Sequence, residues 1–265
     1  MADATGFHLK ESAPERYERY VAPLMAPFVT ALVDAADLYP GATVLDLACG
    51  TGFAARAAAA QAGPTGRVTG VDIHEGMLKI AEACHPRLYP DIEFTRAPAD
   101  DLPHPDAAFD AVLCQQGAQF FPDLDAVLRE TARVTRPGGR FAATVWSHLA
   151  DSPYFVAVRE AIEQHDGPQS TTAYEAAFQG ADRLTTAVDR AGFHDTTRRT
   201  LTFTIALPPL ETYVPGHLSA TGWGQTVAET GDDSIFTRTA RTVIDRLPPD
   251  TTAFPFTATL VSAVR

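Results

Sequence analysis

Residues 43–52, Thr-Val-Leu-Asp-Leu-Ala-Cys-Gly-Thr-Gly, form a short apolar run that holds one acid and closes on two glycines. Val44, Leu45 and Leu47 fit a buried parallel strand, whose residues face apolar surroundings on both sides. The alanine-rich stretch 53–60 then predicts a helix. Glycine at a strand-to-helix turn permits unusual backbone angles and close approach of a ligand to the main chain. The helix start adds free N–H groups and the positive end of a dipole. Residues 68–71 predict the next strand, with Asp72 at its carboxyl end, where a carboxylate can accept two hydrogen bonds from a ribose diol. A fold with this stretch is α/β with a nucleoside-cofactor site at its strand ends.

The spacing leaves the nucleoside open. Residues 50–55 fit G-x-G-x-x-A, with an acid about 20 residues on, as a dinucleotide fold requires. Four further stretches bear on the choice: 46–52 (Asp-Leu-Ala-Cys-Gly-Thr-Gly), 71–78 (Val-Asp-Ile-His-Glu-Gly-Met-Leu), 102–110 (Leu-Pro-His-Pro-Asp-Ala-Ala-Phe-Asp) and 136–141 (Arg-Pro-Gly-Gly-Arg-Phe). In this order, over residues 40–146, they resemble the motifs of class I S-adenosylmethionine (SAM) methyltransferases. The nearest subgroup is the ubiquinone/menaquinone-biosynthesis type with its small-molecule relatives in secondary metabolism. The resemblance implies that Asp46, Ala48, Gly50, Gly52, Asp72, Ile73, Met77 and Gln115 contact the cofactor, and that Tyr20 or Tyr17 reaches its methionine end. Relatives place an Asp-Ala pair against adenine. Here Pro98-Ala99 stands at those positions, so adenine falls to Ala99 and Asp100.

The chain's ending separates the cofactors. A dinucleotide fold closes on parallel strands each followed by a helix. Methyltransferase sheets close on a hairpin with the last strand antiparallel, and the β-like segments 197–206 and 252–263 suit that pattern. SAM is therefore expected over NAD, with S-adenosylhomocysteine as product. The expected fold is a Rossmann-like, mostly parallel seven-stranded sheet, its last strand antiparallel, flanked by helices and carrying a mainly helical lid. Boundaries follow: N-terminal helices over 1–40, the SAM-binding core over 41–146, a lid insertion over 147–180, core helix and strand over 181–207, a second insertion over 208–250, and the final strand over 251–265.

With 33 acidic against 21 basic residues the net charge is −12, and no basic block occurs. A nucleic-acid groove needs clustered Lys and Arg, so nucleic acid is not an expected partner. The longest apolar run, 21–33, holds Pro23 and Pro27 and is too short to span a bilayer. Residues 1–10 lack a signal-peptide pattern. Cys49, Cys84 and Cys114 have no metal-like spacing, which suggests reduced, mostly buried thiols in a cytoplasmic monomer or homodimer. No metal is expected.

Acceptor-side candidates come from position. Residues 109–114 predict a central strand opening into Gln115-Gln116-Gly117-Ala118-Gln119-Phe120-Phe121, at the end of the sheet where α/β folds bind ligands. Gln116, Gln119 and Phe120 offer neutral polar groups on an apolar wall. Methyl transfer needs no protein nucleophile, only alignment in a dry site and, for a hydroxyl or amine, a base. His148, just past the fifth strand, is the base candidate, with His217 and His8 as weaker alternatives; Tyr154, His217 and Trp223 join His148 as acceptor contacts. The expected activity is methyl transfer to O, N or C of a small hydrophobic or aromatic metabolite. A SAM-assisted cyclisation or rearrangement, and an NAD-linked oxidoreductase, are the alternatives.

Overall fold

A computed structural model describes residues 12–84 and 91–265. The elements in chain order are α1 (Ala13–Tyr20), α2 (Ala26–Ala35), β1 (Thr43–Leu47), α3 (Phe53–Ala62), β2 (Arg67–Asp72), α4 (Glu75–Cys84), β3 (Ile92–Arg96), β4 (Phe109–Gln115), α5 (Leu124–Val134), β5 (Thr135–Trp146), α6 (Pro153–Asp166), α7 (Thr172–Ala176), α8 (Gly180–Arg190), β6 (His194–Ala206), α9 (Leu210–Ala220), α10 (Gly222–Thr230), α11 (Asp233–Arg246) and β7 (Ala253–Val264). Seven strands form one sheet in the order β3-β2-β1-β4-β5-β7-β6. β1 pairs in parallel with β2 and β4, and β5 in parallel with β4. β7 runs antiparallel to β5, from Arg140 opposite Val264 to Trp146 opposite Ala258. The order reverses between β1 and β4, the switch point at which open α/β sheets bind ligands.

The chain divides into two compact units. The first, Met25–Ser147 with Ala177–Thr202 and Thr257–Arg265, holds most of the sheet. Its largest apolar cluster joins Leu45, Leu47, Val112, Phe141 and Val145 of the strands to Leu128 of α5 and Leu184 of α8. Each such side chain contributes roughly 2 kcal/mol by leaving water. α3 buries Ala54, Ala55, Ala58, Ala59 and Ala62, small residues that leave little between a helix and its neighbours. Phe28 of α2 meets Trp146 edge-on, with ring centres 5.5 Å apart.

The second unit, taken by itself, comprises the described part of Met1–Leu24 with His148–Ala176 and Phe203–Phe256. Ser12 and Glu15 close a reciprocal cap on α1, satisfying free N–H groups of its first turn. Arg16 on α1 donates to the Ser219 carbonyl of α9 at 3.2 Å. Tyr20 lies so close to Gly216 of α9 that a Cβ there would stand 2.5 Å from its ring. Tyr154, wholly buried, centres an aromatic core with Phe155, Tyr213, Phe254 and Phe256.

The Pro-Gly-Gly of residues 137–139, turn-like by composition, lies inside β5: the β4–β5 register jumps from Phe109–Thr135 to Ala111–Arg140, and the extra residues, Gly138 at φ +76° among them, form a bulge. Cys84 is exposed, while Cys49 and Cys114 are buried. α4 is described to Cys84, and His8, the weaker base candidate, lies outside the described residues. Among the described residues no helix is long and apolar enough to cross a membrane.

Candidate cofactor and acceptor site

The glycine turn after β1 holds three residues in the left-handed region: Ala48 at φ +54°, Gly50 at +54° and Gly52 at +77°. A Cβ on Gly52 would sit 3.0 Å from the Phe94 ring, so this glycine serves packing as well as the turn. A Cβ on Gly50 would meet nothing within 4 Å, so the turn faces open space there. No side chain caps the start of α3, which leaves its first N–H groups for a ligand.

Asp72 ties this turn to the next strand. Its Oδ2 accepts the Gly50 N–H and its Oδ1 the His74 N–H, both at 2.8 Å. A carboxylate has about four acceptor sites, so two bonds to the main chain still leave lone pairs for a diol. Asp46, on β1, is fully buried, and neither carboxylate oxygen has a hydrogen-bond partner. Burial pushes its carboxyl up to about 7 and the nearby Asp72 charge pushes the same way; the Ala55 amide, close by but not within hydrogen-bond geometry, and the Arg56 charge oppose in part. The same burial raises the Cys49 thiol and lifts that of Cys114 to about 12, so neither is a ready nucleophile.

These features have a sign. Two carboxylates stand under the turn, one buried without a donor, and a pyrophosphate there would meet like charge. SAM carries an ammonium and a sulfonium against a single carboxylate, a net positive charge that matches. Ile73 is 65% exposed beside Asp72, an apolar surface at the mouth, and Met77 is half-buried. Behind β3, the Ala97 N–H donates to the Asp72 carbonyl at 3.2 Å; Ala99 is half-buried, and Pro98 and Asp100 are exposed. The site fits SAM.

Next to the turn, β4 ends at Gln115, and Gln116 follows it. Gln116 is buried at φ +53°, unusual for a residue with a side chain, and its N–H donates to the Thr144 carbonyl at 2.9 Å. Gln119 Nε2 donates to Gln116 Oε1 at 2.9 Å. Gln115 Nε2, Gln116 Nε2 and Gln119 Oε1 are buried without partners, as are the Thr51 and Thr144 hydroxyls, which the sequence did not flag. Phe120 is 65% exposed.

The remaining candidates lie in the second unit. Tyr20 packs on Gly216, as above. The Tyr154 hydroxyl bonds His217 Nδ1 at 3.1 Å, and burial lowers the His217 imidazole to about 4, so it is neutral at pH 7. Trp223 donates from Nε1 to Asp166 at 2.8 Å and stacks on Phe236. His148 is exposed, and its Nδ1 accepts the Ala150 N–H at 3.2 Å, capping a short 3₁₀ turn. The lone pair of Nδ1 is thus engaged by the main chain rather than free for a substrate proton.

Fold and strand-end geometry together define an α/β protein with an acidic, glycine-rich turn at its switch point. Comparison then specifies the class: residues 45–143 match the methyltransferase domain family. Over 100 residues the chain is 45% identical to the demethylmenaquinone methyltransferase of Bacillus licheniformis, covering 38% of this chain and 43% of that one, so it spans less than half of that relative. Among solved structures, the YcgJ protein of Bacillus subtilis superposes with TM-score 0.60 at 17% identity over 91% of this chain and 98% of its own. The [4+2]-cyclase SpnF does so with TM-score 0.54 at 20% identity over 90% and 80%. Residues 45–143 thus carry a class I methyltransferase domain whose sequence is similar to that of the ubiquinone/menaquinone-type enzymes, and the cofactor of such a domain is SAM.

Proposed function

We propose that the whole protein transfers the SAM methyl group to a small hydrophobic or aromatic metabolite. The observation that carries this is the partnerless Asp46 carboxylate beneath an open glycine turn, which calls for a cationic ligand. SAM, when bound, supplies a methyl carbon already activated by its sulfonium. The chain's own groups hold and orient: Asp72 offers acceptors to the ribose diol, the turn and the start of α3 offer N–H groups, and Asp46 balances positive charge. Ile73 and Met77 offer apolar surface to the adenine, and Ala99 and Asp100 line its edge.

The identity to the quinone-pathway relative lies within the stretch that carries the cofactor motifs, so it bears on the cofactor more than on the acceptor. The neutral amides at the end of β4 and the exposed Phe120 support an uncharged, ring-bearing acceptor. The bonded Nδ1 of His148 favours transfer by alignment over proton removal by that residue. The test is incubation with SAM and a panel of quinols, phenols and lactams, read by mass spectrometry. Gain of one methyl group in a panel member supports the reading. A rearranged product of unchanged mass would favour SAM-assisted rearrangement instead.

A further inference from the structure

Gln116 and Gln119 share one hydrogen bond, and each keeps one buried group with no partner: Nε2 on Gln116 and Oε1 on Gln119. The nitrogen and oxygen of a side-chain amide are interchangeable by a half-turn. Turning both amides reverses the shared bond, Gln116 then donating to Gln119, and exchanges the free groups. In either arrangement the pair keeps one N–H donor and one carbonyl acceptor unused. That feature does not depend on which way the amides are drawn.

The pair is fixed in place. Gln116 is held at φ +53° with its main-chain N–H on Thr144. The following Gly117 permits the β4 end to press on the β1 end: a Cβ there would stand 2.7 Å from Ala48 Cβ and 3.0 Å from Cys114 Sγ. Gln119 packs against the start of α8, its Cβ 3.1 Å from where a Gly180 Cβ would be. The two amides therefore stand at the β1/β4 switch point, beside the cofactor turn. Buried amide groups without partners are costly, and a ligand that brings the complementary groups removes that cost.

We infer that Gln116 and Gln119 recognise an uncharged acceptor molecule through an adjacent hydrogen-bond acceptor and donor, the pattern of a lactam, a carboxamide or an enol beside a carbonyl. The inference rests on the proposed methyl-transfer reading and names the substrate class for that site. It assigns both residues a positioning role and involves no bond-making step by either.

Three ring compounds of like shape separate the possibilities on protein saturated with S-adenosylhomocysteine: oxindole (donor and acceptor), N-methyloxindole (acceptor only) and indane (neither). Calorimetric or saturation-transfer titration should find oxindole bound at least about tenfold more tightly than the other two. Gln116→Met and Gln119→Met keep length and volume, and each should level the three while S-adenosylhomocysteine affinity stays within about twofold. Gln119→Met, at a half-buried position without backbone strain, keeps the test open if Gln116→Met does not fold. Oxindole bound no better than indane by a protein that takes up S-adenosylhomocysteine overturns the inference, and so does a preference that survives both substitutions. Failure to bind S-adenosylhomocysteine at all strikes instead at the methyl-transfer reading, whatever oxindole does.

Discussion

Asp72 reaches from the end of β2 to the Gly50 amide, with Oδ2 2.8 Å from the nitrogen, so the acid expected to hold the ribose also holds the turn beneath it. Two functions on one carboxylate make its removal doubly felt. Asp72→Ala weakens SAM and S-adenosylhomocysteine binding by roughly 2–4 kcal/mol through lost charged acceptors. It also lowers unfolding free energy by about 1–3 kcal/mol, since the Gly50 and His74 amides lose their partner. Titration calorimetry and denaturant melts read the two separately, and an unchanged dissociation constant would remove Asp72 from the ribose.

The two turn glycines predict opposite balances. Gly50→Ala places a methyl group in open space at a left-handed position, costing about 1–2 kcal/mol of stability. Because that space faces the ligand, cofactor affinity falls more than stability does. Gly52→Ala adds contact with Phe94 to the same strain, so it destabilises more strongly. Equal losses of affinity and stability in both variants would contradict this division.

Asp46 gives the protein a pH signature. Its carboxyl is raised to about 7, above its value in an unfolded chain, so the folded state holds a proton that the unfolded state has released. The stability this contributes is full below about pH 4 and is lost as pH rises to about 7, at up to about 1.4 kcal/mol per pH unit. Asp46→Asn lacks this slope, and the difference between the melts of the two proteins isolates it. A cationic ligand reverses the preference, so SAM binding near pH 7 releases roughly half a proton. Calorimetry in two buffers of different ionisation heat measures that release. Equal apparent enthalpies in both buffers would show that Asp46 does not face the positive charge.

His148 is expected to matter little to proton transfer, because its Nδ1 is bonded to Ala150. His148→Ala lowers turnover less than about tenfold, against the roughly 10²–10⁴ of a lost general base, and costs about 1 kcal/mol with the cap. A hundredfold loss of turnover with SAM affinity unchanged would return the proton-taking role to His148.

The sequence made the cofactor half of this protein legible because its signals are local. Apolar runs ending in Gly50-Thr51-Gly52 or Asp72 define strand, turn and helix within a few residues, and the two late β-like segments imply the antiparallel closure that β7 makes with β5. What was hidden depends on tertiary placement. Pro137-Gly138-Gly139 carries ordinary turn chemistry, and only pairing with β4 makes it a bulge inside β5. The positive φ of Gln116 and the missing partners of Asp46 and Thr144 follow from how neighbouring strand ends pack, which side-chain type does not reveal. Tyr154 and Trp223, chosen as acceptor contacts for their rings, are core residues of the second unit, because aromatic spacing alone does not separate a core from a lining.

The central claim is that the site accepts the adenosyl amino acid of a methyl donor and serves methyl transfer. Side-by-side calorimetric titration of the full chain with S-adenosylhomocysteine and with NAD tests it most directly. The account predicts a dissociation constant on the order of micromolar for S-adenosylhomocysteine and no measurable heat from NAD. Saturable NAD binding without S-adenosylhomocysteine binding would contradict it.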